Sequence, residues 1–113
     1  METIEYAKII CQVLSDKKAE DIKIIDIKEK SSFADYFVLA TGLSERQINS
    51  LVDYIEDEMI KNKIPLKSVE GLNQSGWILM DFGDVIVNLF TNESREKYDL
   101  EKVWGDCNIE SYL

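Results

Sequence analysis

WILMDFGDVIVNLF, from Trp77 to Phe90, is the most informative part of the sequence for the fold. Two extended runs flank Gly83-Asp84, and these two residue types tolerate the positive φ angles of a two-residue hairpin turn. The pattern therefore predicts a β-hairpin in which Phe82 faces Val85. Residues that face each other across the two strands point to the same side of the sheet, so this turn fixes both faces of the hairpin.

The two faces of the predicted hairpin differ in chemistry. One face is wholly apolar, which predicts that it belongs to the core: Ile78, Met80, Phe82, Val85, Val87 and Leu89. The other mixes aromatic, aliphatic, carboxylate and amide side chains: Trp77, Leu79, Asp81, Ile86, Asn88 and Phe90. Such a mixture is typical of a surface that water or a partner reaches. We therefore expect the second face to carry function.

The composition is that of one ordinary globular domain. A chain of 113 residues with 45% hydrophobic and 31% charged residues has enough apolar area for a single core. No apolar run approaches the ~18 residues of a membrane helix, and the N-terminus lacks the pattern of a signal peptide. The sequence therefore predicts a cytoplasmic protein without membrane contact. Cys11 and Cys107 are too few for a disulfide framework, and we expect both to be free thiols.

The net charge of −9 restricts the partners of the protein. Phosphate backbones repel an acidic domain, so direct binding to DNA is not expected. A basic protein surface would attract it instead, with association rates that fall as the salt concentration rises. Solubility in the cytoplasm is the alternative explanation of the same charge.

Periodicity predicts the elements before the hairpin. An amphipathic helix runs from Thr3 to about Lys17, and strands follow at Asp21–Lys28 and Ala34–Thr41. The second strand is a nearly continuous apolar run, which indicates a central position in the sheet. Ser44 and Gln47 then fit a capping box that opens a second helix. This helix ends before the only proline, and a short strand at residues 66–70 precedes a loop at residues 71–76.

The elements after the hairpin are shorter. Thr91 or Asn92 is expected to cap a short helix, followed by a last turn from Leu100 to Trp104. The complete order predicts an α/β fold with a mixed β-sheet flanked by helices. We expect a single domain over residues 1–104 and a C-terminal tail without periodicity over residues 105–113.

Patterns of catalytic chemistry are missing from the sequence. It contains no histidine, which excludes imidazole-activated nucleophiles and histidine-rich metal sites. It also lacks the glycine-rich loops that bind phosphates. Two-metal chemistry needs carboxylates two residues apart on one strand face, and the predicted strands contain no such pair. We therefore expect no catalytic residues, no metal and no cofactor.

Four stretches of the chain, in order, resemble the ribosomal silencing factor family, also called Iojap-like. They are SSFADYFVLATGLSERQI (Ser31 to Ile48), VEG (Val69 to Gly71), W-x-L-x-D-F-G-D-V-I-V (Trp77 to Val87) and ESREKYDLEKVW (Glu93 to Trp104). The resemblance covers roughly residues 4–104. It implies a fold similar to nucleotidyltransferases but without their catalytic carboxylates, and a translational repressor that is not an enzyme.

The resemblance also implies a partner. Family members bind the large ribosomal subunit through its protein L-fourteen, and they sterically block joining with the small subunit when nutrients are scarce. Some members form homodimers when free. Trp77, Leu79 and Asp81 match the family's W-x-L-x-D strand and Glu70 matches its E-G pair, so we assign these four to the partner-binding surface, with Asn88 and Phe90 from the same face.

The chain departs from the family pattern at two places. Asn88 stands where relatives usually carry a histidine, and Thr91-Asn92 replaces a common His-Pro pair. Asparagine keeps hydrogen-bonding ability but has no proton to titrate. The first change therefore argues against a pH-sensing or catalytic role at this position.

Three alternatives remain open from the sequence. Trp77 and Phe90 could pack against a terminal helix while Asp81 pairs with an arginine, which would leave no docking surface. The chain could also be a nucleotide-binding or nucleotidyltransferase-like enzyme, although similarity of fold alone is weak support for an activity. A homodimeric adaptor that uses the same face for self-association is the third.

Overall fold

The computed structural model describes residues 2–72 and 76–112, which form ten elements around one mixed sheet. The helices are α1 (Thr3–Asp16), α2 (Glu45–Lys61), α3 (Asn92–Tyr98) and α4 (Leu100–Val103). The strands are β1 (Glu20–Asp26), β2 (Tyr36–Gly42), β3 (Ser68–Glu70), β4 (Trp77–Asp81), β5 (Val85–Thr91) and β6 (Asn108–Ser111). Residues 73–75, in the loop predicted at 71–76, lie outside the described residues.

The strand order is β3-β4-β5-β2-β1-β6. The central strands β2 and β5 pair in parallel, and the other neighbours pair antiparallel. All seven residues of β2 are buried, as the continuous apolar run predicts. The predicted α/β fold with a mixed sheet is confirmed.

The β4–β5 hairpin has the predicted register. Trp77 pairs with Phe90, Met80 with Val87, and the backbone N–H of Phe82 donates to the carbonyl of Val85 at 3.0 Å. Gly83 has a φ of +92°, which glycine adopts without steric cost. The prediction of both the turn and the pairing is therefore confirmed.

Each face of the sheet has its own apolar cluster. The first cluster joins α1 and α2 to the wholly apolar face of the hairpin and to Ile22 and Ile24 of β1. The second cluster contains Ile25, Phe37 and Phe90, with Leu100 and Trp104 packed against it. The isoleucines of β1 thus contribute side chains to both faces of the sheet. Because α1 and α2 cover only the first face, the second depends on the C-terminal part of the chain for its cover.

The helix caps follow the sequence signals. The Ser44 hydroxyl accepts a hydrogen bond from the Gln47 N–H at 3.1 Å, and the Gln47 side chain accepts from the Leu43 N–H at 2.6 Å. In a standard capping box the second bond comes from the cap residue itself, so here it is displaced by one residue. Of the two cap candidates for α3, Thr91 is the cap, and its hydroxyl accepts from the Ser94 N–H at 3.4 Å.

The C-terminal tail is the main correction to the predicted fold. Residues 108–111 form β6, which pairs with β1 at the edge of the sheet. The strand is short and only Ile109 of its four residues is partly buried, so it carries little alternation of hydrophobicity. Tyr112 also donates its hydroxyl to the Gln12 side chain at 2.6 Å. This part of the predicted tail therefore belongs to the sheet.

Both cysteines are free thiols, as predicted. Cys11 is buried between α1 and the sheet, and burial raises the pKa of its thiol to about 12. It therefore behaves as a small apolar core residue. Within residues 2–72 and 76–112, no helix combines the length and the apolar composition needed to cross a membrane.

Candidate partner-binding site

Three aromatic side chains are stacked on the second face of the hairpin. The Trp77 ring lies 5.3 Å from that of Phe90 at an angle of 27°, and 4.6 Å from that of Tyr98 at 42°. Phe90 is fully buried, Trp77 is half-buried and Tyr98 is 37% exposed. We call these three residues the aromatic patch. The three side chains become more buried in the order Tyr98, Trp77, Phe90. Trp77 therefore packs on a buried ring and remains partly accessible to solvent.

Asn88 supports the tryptophan from beneath. Its side-chain oxygen accepts a hydrogen bond from the Trp77 indole N–H at 3.0 Å, and the residue is 1% exposed. Its amide nitrogen is buried without a hydrogen-bond partner in the part of the chain that the structure describes. This bond holds the part-buried Trp77 ring in one orientation, because a polar group that loses its hydrogen bond away from water costs free energy.

The burial of Asn88 and Phe90 corrects the expectation that the whole second face is accessible. The cause is tertiary: β5 continues into α3, and α3 packs back on β5 and β2. Tyr98 at the end of this helix then covers part of Trp77 and Phe90. Asn88 and Phe90 therefore lie below the surface in the free protein, where they support Trp77 from within.

The remaining predicted residues stay closer to solvent. Leu79 and Asp81 follow Trp77 along the same face of β4 and are half-buried. Glu70 is exposed on the edge strand β3, directly opposite Leu79. Opposite residues of an antiparallel pair share a face, so both carboxylates flank the apolar side chains. We call Glu70, Trp77, Leu79, Asp81 and Tyr98 the docking surface.

The two parts of the packing alternative have different outcomes. Trp77 and Phe90 do pack against a C-terminal helix, through Tyr98. Asp81, however, accepts a hydrogen bond from the Gly83 N–H at 2.7 Å, which closes the hairpin turn. Among the described residues Arg95 pairs with Asp21 and Glu101, and no arginine pairs with Asp81, so this part of the alternative is wrong. The docking surface remains partly open, so its use by a partner stays a prediction.

A charge network centred on the buried Arg95 lies beside the aromatic patch, and sequence reasoning missed it. Arg95 of α3 is 8% exposed. Its Nη1 donates to the Thr41 hydroxyl at 2.8 Å and its Nε donates to Glu101 Oε1 at 2.8 Å. Lys23 of β1 donates to Glu101 Oε2 at 2.7 Å. Arg95 Nη2 lies 3.3 Å from Asp21 Oδ2, without the alignment of a hydrogen bond.

The network stays ionised over a wide pH range. The hydrogen bond from Arg95, followed by that from Lys23, lowers the pKa of the Glu101 carboxyl from 4.5 to about 2. The hydrogen bond to Glu101 in turn raises the pKa of Lys23. Each charge is thus paired with the opposite charge, which is the condition under which charged groups are tolerated away from water.

The sequence holds only a weak signal of this network. Arg95 lies 54 positions from Thr41, and Lys23 lies 78 positions from Glu101. Neither pairing has a local pattern. The spacing of three between Arg95 and Tyr98 does place both on one side of α3, which indicates that this side faces the sheet.

The arrangement as a whole suits binding, because a rigidly supported aromatic group is bordered by carboxylates.

Among the described residues, no cluster of three or more histidine, cysteine, aspartate or glutamate side chains could hold a metal ion. The expectation that the protein is not an enzyme and needs no cofactor stays a prediction.

Comparison with known proteins gives a consistent result. Residues 1–112 match the protein-family model described as "Ribosomal silencing factor during starvation". The chain is 40% identical over 102 residues to the ribosomal silencing factor RsfS of Bacillus subtilis, covering 90% of this chain and 86% of that protein. It is 35% identical over 107 residues to RsfS of Halalkalibacterium halodurans, covering 95% and 92%. A crystal structure of a Chromobacterium violaceum protein superposes with a TM-score of 0.89 at 31% identity, covering 93% of this chain and 88% of that one.

Proposed function

The chain belongs to the ribosomal silencing factor family, also called Iojap-like, and on that premise we propose that it binds the large ribosomal subunit through protein L-fourteen and blocks joining with the small subunit. A ribosome-associated silencing role follows from the family. The choice of ribosomal protein and the obstruction of joining are the proposal. Repression of translation would be the outcome, and the cytoplasm the place where it acts.

The observation that carries the proposal is the docking surface. Trp77 is held by the stacking of Phe90 and Tyr98 and by the hydrogen bond to Asn88, yet it remains partly exposed. Rigid tryptophan side chains dominate the energetics of many protein interfaces. Because its neighbours already fix the ring, little side-chain entropy remains to be lost on binding. The Trp77 side chain would therefore need little reorganisation on binding a partner.

Charge supports a basic partner. The net charge is −9, and Glu70 and Asp81 border the apolar centre of the docking surface. Electrostatic attraction raises the rate of encounter, whereas the desolvated aromatic contact slows dissociation. Obstruction of subunit joining needs only affinity and volume, so this mechanism requires no catalytic group.

Sedimentation with purified large subunits tests the proposal. We expect the wild-type protein to pellet with the subunits at moderate salt. Trp77→Ala is expected to lose about 2 kcal/mol of binding free energy or more, which is roughly 30-fold in affinity. Tyr54→Ala is the matched control, because Tyr54 is an exposed aromatic residue on α2. Circular dichroism must show that both variants stay folded. Failure of the wild type to pellet, or equal binding by Trp77→Ala, would overturn the proposal.

Self-association in the absence of ribosomes is a second candidate, which the partly exposed apolar side chains of the docking surface favour. If two copies use this surface, Trp77→Ala should be a monomer under conditions in which the wild type is a dimer. Sedimentation velocity measures this directly. For the alternative of a nucleotide-binding enzyme, calorimetry with ATP and magnesium is the test, and we expect no binding.

A further inference from the structure

Tyr98, the most C-terminal residue of the docking surface, belongs to a separate segment of the chain. Residues 92–104, which we call the return segment, comprise α3, the junction residue Asp99 and α4, and end at Trp104. Asp99 adopts a left-handed conformation with a φ of +41°, which breaks the chain into two short helices. Helices of seven and four residues have little stability of their own. Their position therefore depends on contacts with the sheet.

Apolar contacts hold only parts of the return segment. Trp104 packs edge-on against Phe37 at 5.4 Å, and Leu100 lies against the second apolar cluster. Val103 is 67% exposed and α4 has no buried residue. Tyr98 contacts Trp77 from the end of α3. The apolar contacts alone thus leave the position of Tyr98 weakly specified.

Arg95 supplies polar contacts that join both short helices of the return segment to the sheet. Its guanidinium is bonded at once to Thr41 of β2 and to Glu101 of α4, and it approaches Asp21 of β1. Glu101 is bonded in turn to Lys23 of β1. One side chain thereby ties both short helices to two strands of the sheet. The planar guanidinium provides several donors in fixed directions, which a lysine ammonium does not.

We propose that Arg95 is a positioning residue for the docking surface, which fixes the return segment on the sheet and so holds Tyr98 against Trp77. The inference rests on the proposed function, since it assigns a role in binding to a residue that is itself buried. Without the guanidinium, Glu101 keeps its bond with Lys23, and the bonds from Arg95 to Glu101 and Thr41 are lost. The return segment would then sample several positions, and a partner would have to order it on binding.

A double-mutant cycle measured by large-subunit binding tests this role. We expect Arg95→Gln to weaken binding by roughly three- to tenfold, the range for ordering one or two side chains. In combination with Trp77→Ala, the Arg95→Gln change should weaken binding little further, because both changes abolish the ordered packing of Tyr98 against Trp77. Groups that act through each other are non-additive, whereas a general loss of stability multiplies with the effect of Trp77→Ala. Independent, multiplying effects would overturn the inference.

Three further variants separate positioning from charge and from folding. Arg46→Gln, on the exposed side of α2, is the matched control and should bind as the wild type does. Arg95→Lys keeps the charge but does not span both Thr41 and Glu101, so it should bind as weakly as Arg95→Gln; wild-type binding by this variant would contradict the inference. If Arg95→Gln does not fold, Thr41→Val removes one bond from the guanidinium and should show the same non-additivity with Trp77→Ala.

Hydrogen exchange adds a readout on the free protein. In Arg95→Gln, amides of residues 96–104 should exchange faster while those of α2 are unchanged. Unaltered exchange in residues 96–104 would overturn the inference. If the wild type itself does not bind large subunits, the proposed function fails instead. The two failures are therefore distinguishable.

Discussion

Asn88 lies under the indole of Trp77 and accepts its N–H hydrogen bond at 3.0 Å. Asn88→Ala would remove that acceptor and create a small cavity. We expect the free energy of unfolding to fall by about 1–3 kcal/mol and the affinity for large subunits to fall with it. Urea unfolding and pelleting measure the two effects. Asn108→Ala, at an exposed position of β6, is the control. Unchanged binding by Asn88→Ala would show that the hydrogen bond does not orient Trp77.

Glu101 provides a second prediction at the residue scale. Its pKa in the folded protein is about 2, below the ordinary value of 4.5, mainly because Arg95 donates to it. A lowered pKa contributes stability above the ordinary value, and that contribution is lost as the pH falls towards the folded value. Between pH 5 and pH 2, the free energy of unfolding should therefore fall more steeply for the wild type than for Glu101→Gln. Urea unfolding at several pH values measures this.

The control for the pH experiment is Glu93→Gln, at an exposed position of α3. Its pH dependence should follow that of the wild type. Equal slopes for the wild type and Glu101→Gln would mean that the carboxyl has the same pKa in the folded and unfolded states.

Residue-scale features were predictable where they depend on neighbours in sequence. The wholly apolar face of the hairpin follows from alternation and from the turn at Gly83-Asp84, and it is confirmed. The burial of Asn88 and Phe90 was not predictable, because α3 and Tyr98 cover them from a later part of the chain. The hydrogen bonds of Arg95 were not predictable either, because its partner Thr41 is distant in the sequence.

Among the secondary-structure elements, β6 pairs with β1 and is the edge strand on that side of the sheet. Ile109 is its partly buried residue and packs against the second apolar cluster. Ile109→Ala should lower the free energy of unfolding by about 1–2 kcal/mol, since a partly buried isoleucine loses less than a fully buried one. Glu110→Ala changes the exposed neighbour and should have little effect. Equal unfolding midpoints for the two variants in urea would contradict the placement of β6.

The strength of the local signal explains which elements were predicted. The helix α2 has a serine cap and an apolar stripe over 17 residues, and its position is confirmed. β6 has four residues and one partly buried side chain, so it offers no period to detect. It forms because β1 presents an unpaired edge, which a distant segment of the chain satisfies.

At the scale of the whole molecule, charge should act mainly through the docking surface. Asp81→Asn with Glu70→Gln changes the net charge by two at that surface, and the asparagine still accepts from the Gly83 N–H. Asp53→Asn with Asp57→Asn makes the same change on the exposed side of α2. We expect the first pair to lower the association rate with large subunits more, and to weaken its dependence on salt. Stopped-flow kinetics at several salt concentrations compare the pairs, and equal effects would contradict local steering.

Whole-molecule architecture was predictable in class and not in detail. The order of helices and strands indicates a mixed sheet with helices, and that is confirmed. The unequal cover of the two faces was not visible in the sequence, because it results from where the return segment packs. That inequality leaves Trp77, Leu79 and Asp81 partly open while the rest of the second face is covered.

Subunit joining shows whether a partly exposed tryptophan surface docks on the large subunit and excludes the small one. Light scattering follows the association of purified subunits after the protein has been added to the large subunit. The wild type should reduce the extent of joining in proportion to its occupancy, and Trp77→Ala at the same concentration should not. Undiminished joining at saturating wild-type protein, or equal inhibition by Trp77→Ala, would contradict the account.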